Sequence, residues 1–213
     1  MSTWGSSRRR YNGLRPGGSR CPSCRADDLA PVRLFRSFRD HRALTRRSAG
    51  YAAALMAEPV TADVEWLARD ATRGDMDHAQ WELRYLRRSL GILVAQRDAL
   101  DDRTPSEALR ALLHRMHKDR NVDGGLLELA ERQFNARLSA YRDAFTSRTP
   151  GSSTTRVAQN LLAFSGGPIR EDEPAVLRGA ELVARYLLES NASLRESFGE
   201  PQLPEDVAPS MVR

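Results

Sequence analysis

The chain has 213 residues, of which 40% are hydrophobic, 29% charged and 7% aromatic, enough for one helical or mixed domain with a tail because a single core takes roughly 100 to 200 residues. No apolar run approaches the ~18 residues of a membrane-spanning helix, and two cysteines, Cys21 and Cys24, exclude a disulfide framework. The net charge of +5 is unevenly spread: residues 1–55 carry 12 arginines against 3 acids, whereas residues 56–213 carry 21 basic and 25 acidic residues.

Residues 1–55 mix Arg, Ser, Gly, Pro and Cys without sustained periodicity and are expected to form a basic, disordered tail. Two explanations of that tail stand side by side. An arginine-rich arm is a nucleic-acid tether, since arginines neutralise phosphates whatever the base sequence. The alternative is upstream sequence translated in frame, because Met56 opens MAEPVTADVEWLARDA, which reads as an ordinary start running into a helix. The chain holds 32 arginines, one lysine (Lys118) and two isoleucines, a skew expected of a GC-rich and most simply bacterial coding sequence. Thr45-Arg46-Arg47-Ser48 has the order of a twin-arginine export signal, but the stretch after it is only mildly apolar and too far from the N-terminus. A cytoplasmic location is therefore expected.

From Met56 onward the chain is punctuated like a helical protein. Thr61 is placed as the cap of a helix to about Arg73, with Val64, Trp66, Leu67 and Ala71 inward and Gly74 as its stop. Asp75 and Asp77 then open a long helix to about Leu100. Its Leu83, Leu86, Leu90, Leu93 and Leu100 form one apolar seam, broken by Arg97, while Trp81, Tyr85 and Ile92 widen it to a second side. Such a helix belongs between neighbours, with Arg84, Arg87 and Arg88 on the solvated remainder. Thr104-Pro105-Ser106-Glu107 matches a capping box and starts a helix bearing Leu109, Leu112, Leu113 and Met116. Asp123 caps a further helix carrying Leu127, Ala130, Phe134, Leu138, Tyr141 and Phe145. After the link Thr149–Ser153 comes a short helix with Val157, Leu161, Leu162 and Phe164. Glu171–Pro174 opens the last, with Val176, Leu177, Ala180, Val183, Tyr186 and Leu187 inward and a break expected near Asn191, where Ser193–Glu196 is a second capping-box match. Residues 200–213 read as a loose tail.

Three groups of residues invite a chemical reading. Cys21-Pro-Ser-Cys24 has the spacing of half a zinc site, and His114 and His117 could complete it from afar; two cationic groups at a helix C-terminus are the simpler account. Asp75, Asp77, His78 and Glu82, with Glu107 and His114, suggest a di-iron bundle, but no Glu-x-x-His is present. Ser165-Gly166-Gly167 could form an anion nest but sits where a chain-terminating turn belongs. No nucleophile elbow or phosphate loop occurs.

These features predict an all-α fold: a single bundle of five or six helices over residues 56–199, a basic tail at 1–55 and a short tail at 200–213. No catalytic, cofactor-binding or metal residue is assigned and no cofactor is expected. The leading functional reading is a non-enzymatic interaction or assembly protein, self-associating or acting as an adaptor, with protein partners and no membrane. The alternatives are a nucleic-acid-associated protein using the arginine-rich arm and a metal-dependent helical enzyme with His78, Glu82 and His114 in one pocket.

Overall fold

Helix starts and stops written in the sequence recur in the computed structural model, which describes residues 30–99, 101–119 and 122–200, with side chains from Arg39 onward. The described residues form α1 (Ala30–Leu55), α2 (Thr61–Asp70), α3 (Met76–Asp98), α4 (Arg103–Met116), a 3-10 turn (Gly124–Leu126), α5 (Leu127–Thr146), α6 (Ser153–Ser165) and α7 (Pro174–Phe198), with no strand among them. The fold is all-α, as expected, and no described helix is long and apolar enough to cross a membrane. The chain divides into two compact units, Met1–Phe38 and Arg39–Arg213; the core belongs to the second.

Asp75 caps α3 by accepting a hydrogen bond from the His78 N–H at 2.9 Å, and Ser152 caps α6 by accepting from Thr154 N–H at 3.2 Å. Four boundaries differ from expectation. Thr61 lies inside α2, and that helix stops at Asp70, where Arg73 and Gly74 turn left-handed and Gly74 N–H reaches back to the Ala68 carbonyl at 2.8 Å. The capping box at Thr104 does not form. Asp101 takes the N–H groups of Arg103 and Thr104 at 2.8 and 2.7 Å and the Thr104 hydroxyl at 2.9 Å, while Glu107 pairs with Arg110. A carboxylate is the stronger acceptor, so it displaces the threonine. Asp123 caps only the 3-10 turn, through Gly125 N–H at 3.3 Å. The break expected near Asn191 is absent, because Asn191 donates to Asp98 at 2.6 Å and Leu194 continues the buried stripe of α7.

α3 is the axis of the core. On one side Leu83, Leu86 and Leu90 meet Leu67 of α2, Leu161 and Leu162 of α6, and Val183 and Tyr186 of α7. On the other, Tyr85, Ile92 and Ala95 meet Tyr51, Ala52 and Leu55 of α1, Ala108 and Leu112 of α4, and Phe134 of α5. Each fully buried leucine or isoleucine contributes about 1.5–3 kcal/mol relative to exposure. Leu177, expected inside, is instead 55% exposed, and Leu182, five residues on and on the opposite side of the helix, is buried.

The reading of residues 1–55 as an aperiodic tail is corrected over 30–55. The spacing of Ser48, Tyr51, Ala52 and Leu55 is helical, and all four are buried. The small residues between them, Ala49, Gly50, Ala53 and Ala54, hid the pattern among the arginines. The contact with α3 is close: Tyr51 OH donates to the Gly91 carbonyl at 2.8 Å, and a Cβ on Gly91 would lie 2.9 Å from Leu55 Cγ and nearer still to both its methyl carbons. The expected Cys21–Cys24 half-site and the 200–213 tail beyond Glu200 lie outside the described residues.

Two outcomes follow. Gly91→Ala should destabilise the protein, because Leu55 must move; in a Leu55→Ala background the same change should become stabilising by about 0.5–1 kcal/mol, the helix preference of alanine over glycine. Thermal denaturation of the four proteins measures that reversal of sign. Asp101→Asn should cost about 1 kcal/mol at neutral pH, the worth of an N-terminal cap. Burial raises the Asp101 pKa, but the hydrogen bonds from Thr104 and Arg103 outweigh it, so the group is depressed below its usual 3.8. Its stabilisation is present above that value and fades as pH falls through the lower folded value, so the gap between wild type and variant should narrow in acid.

Candidate functional site

The charges drawn inward by the packing of α3 are matched by residues of other helices. Glu82, 2% exposed, accepts from Arg137 of α5 at 2.5 and 3.1 Å. Asp63 of α2 is equally buried and pairs with Arg185 of α7, with Arg178 at 3.7 Å. Arg88, 1% exposed, reaches Asp119 at 3.2 Å; Arg84 reaches Glu58 at 2.8 Å and Arg87 reaches Glu189 at 2.6 Å. The expectation that Arg84, Arg87 and Arg88 form a solvated face is thus corrected. Their guanidinium planes also cover aromatic rings, Arg84 on Trp81 at 4.6 Å and Arg87 on Tyr186 at 4.9 Å.

Burial alone would pull Arg137 down, but hydrogen bonds and charge from Glu82 raise it. Burial holds the Tyr141 phenol well above its ordinary value, and the Glu82 charge pushes the same way. The Arg137 guanidinium therefore stays charged near neutrality, which suits a structural cross-link to Glu82 better than proton transfer. Sequence reasoning missed this pair although a signal exists: Arg137 occupies a position of the Phe134, Leu138, Tyr141 stripe, and Glu82 lies between Ala79 and Leu86 on the inner face of α3.

The residues singled out for metal or acid–base chemistry are scattered. His78 faces Glu82 at 3.5 Å, but Glu82 already belongs to Arg137. His114 lies on the α1–α4 surface, apart from that pair, and His117 contacts Glu131 of α5 at 3.1 Å. Among the described residues no group of three or more His, Cys, Asp or Glu side chains is placed to hold a metal ion. Ser165 donates to Leu161 O, and Gly166 at φ 78° ends α6, so the Ser165-Gly166-Gly167 segment is a helix stop.

Free charge gathers elsewhere. Between α1 and the end of α4 runs an open groove of about 710 Å³ bordered by Thr45, Ala49 and Met56 on one side and by Arg110, Ala111, His114, Arg115, Lys118 and Asp119 on the other. Arg42 and Arg46 stand exposed on the neighbouring face of α1, while Arg47 is exposed on the helix side turned away from Thr45 and Ala49. No described carboxylate lies within ion-pair distance of Arg42, Arg46, Arg47, Arg115 or Lys118, whereas Arg110 is matched by Glu107 and Arg88 takes Asp119. This groove was invisible in the sequence because α1 was assigned to the tail. No protein family, curated protein or solved structure matches the chain.

Arg137→Met should cost about 3–5 kcal/mol by stranding the Glu82 charge, while Glu82→Leu combined with Arg137→Met should recover most of that loss. Chemical denaturation of the single and double variants reads the difference. A double variant as unstable as the single one would mean that packing, not charge, makes Arg137 necessary.

Proposed function

We propose that the protein is a non-enzymatic binding protein, a stiff helical platform that offers its α1–α4 surface to an acidic partner. One observation carries this reading: inward-facing charges are spent on partners within the chain, while Arg115 and Lys118 lining one groove and Arg42 and Arg46 on the adjoining face of α1 have no carboxylate partner among the described residues. Charge left free at the surface favours encounter and orientation of an oppositely charged partner. The leucine seam that suggested self-association is buried against the chain's own helices, with Leu83, Leu86 and Leu90 at 0% exposure. Its burial needs no second copy, so an adaptor-like role is favoured over an assembly one. The metal-enzyme reading is weakened by the separation of His114 from His78 and Glu82.

The test compares wild type with two charge-reversed chains of equal net charge. One carries Arg42→Glu, Arg46→Glu and Lys118→Glu; the other carries Arg132→Glu, Arg170→Glu and Arg195→Glu on other surfaces. In extract of the source cell, wild type and the second variant should elute in a larger complex by size exclusion, and the first should elute at the size of the free chain. Elution of wild type as a free chain, or equal loss in both variants, would remove the reading.

A further inference from the structure

The chemistry of the α1–α4 groove narrows the partner, on the reading that this surface is where binding occurs. We infer that it takes the phosphate backbone of a nucleic-acid duplex, without reading base sequence. Arg39, Arg42 and Arg46 recur at three and four residues, so they share a face of α1 and span roughly 10 Å of a helix rising ~1.5 Å per residue. That length corresponds to about three phosphates at ~3.4 Å of axial rise per strand. The acids at this surface are Asp40 on α1 and Asp119 in the groove lining, the latter paired with Arg88 at 3.2 Å. Across the groove Arg115 and Lys118 supply further donors, and Thr45 lines it from α1.

The cations at the end of α4 have a simpler use, since positive groups near a helix C-terminus offset its dipole. That account does not extend to Arg42, Arg46 and Arg47, which lie in the middle of α1, where the dipole offers nothing. Two other polyanionic surfaces fit less well. An interfacial helix inserts large apolar side chains into lipid, yet none of the exposed large hydrophobic residues falls on the described part of α1 or on α4. Single-stranded nucleic acid is held by stacking on aromatic rings, and no Phe, Tyr or Trp side chain borders the groove. Guanidinium forks matched to phosphate oxygens are what is present, and phosphate contacts position a protein without specifying sequence.

Lys118 is the chain's one lysine, and that makes a direct experiment possible. The full-length protein is treated with an amine-reactive ester, with and without a DNA duplex of mixed sequence at low salt, and labelling is read peptide by peptide. The duplex should slow modification of Lys118 roughly tenfold and lose that protection as salt rises. Arg46→Glu with Arg115→Glu should weaken duplex binding at least about tenfold and flatten the salt slope by ~0.9 for each phosphate contact removed. The reversals at Arg132 and Arg170 should leave binding unchanged, and circular dichroism should show all variants equally folded.

Duplex binding that leaves Lys118 as reactive as before would place the contact elsewhere in the chain and overturn the inference. So would absence of binding at low salt, or protection of Lys118 by phosphatidylserine vesicles and not by the duplex. If the complex seen in extract depends on Arg42, Arg46 and Lys118 while duplex gives no protection, the binding role stands and the partner is an acidic protein. If neither result is obtained, both readings fall together.

Discussion

A helix enclosed by neighbours on almost every side has nowhere to put a charge, and α3 is such a helix. More than half of its residues are buried, Glu82, Arg84 and Arg88 among them. Removing an ion from water costs several kcal/mol unless a counter-charge and hydrogen bonds replace the lost hydration. Each of those three residues therefore requires a partner from another segment, and each has one: Arg137 from α5, Glu58 from the α1–α2 connection, Asp119 from the end of α4. The apolar seams determine which helices approach α3, and the ion pairs constrain how each can rotate and slide.

The same constraint explains where the sequence was legible. Helix existence, the central position of α3 and the inward leucines follow from period and from Gly, Pro, Asp and Ser punctuation. Charges inside a stripe were harder to place, because a long arginine can sit at an inward position and still carry its head to a surface or to a partner. Arg88 takes the second course and Arg97 the first. Capping was misread at Thr104 for a related reason: the competing Asp101 precedes the matched motif by three residues, and the motif does not register it. α1 was lost because its inward residues are small or isolated, Tyr51 and Leu55 apart, in a segment whose composition speaks of charge.

Division of labour between interior and surface follows. Salt bridges that lock protonation and geometry make poor reagents, while unmatched cations on a firm support make an effective electrostatic surface. Rigidity matters here because ordering long side chains and loops on association costs free energy. Arg42, Arg46 and Arg47 project from a helix anchored by Tyr51 and Leu55 against α3, so the backbone beneath them is ordered by the chain's own packing.

The packing of Tyr51, Ala52 and Leu55 also bears on translation. A ribosome beginning at Met56 would make a polypeptide in which Tyr85, Ile92, Ala108 and Leu112 lose their α1 cover, leaving a hydrophobic trench along the flank of α3 and α4. Exposed apolar surface of that kind is what chaperones and proteases recognise, and it promotes aggregation. A chain begun at Met56 is therefore expected to be less stable than one that carries α1.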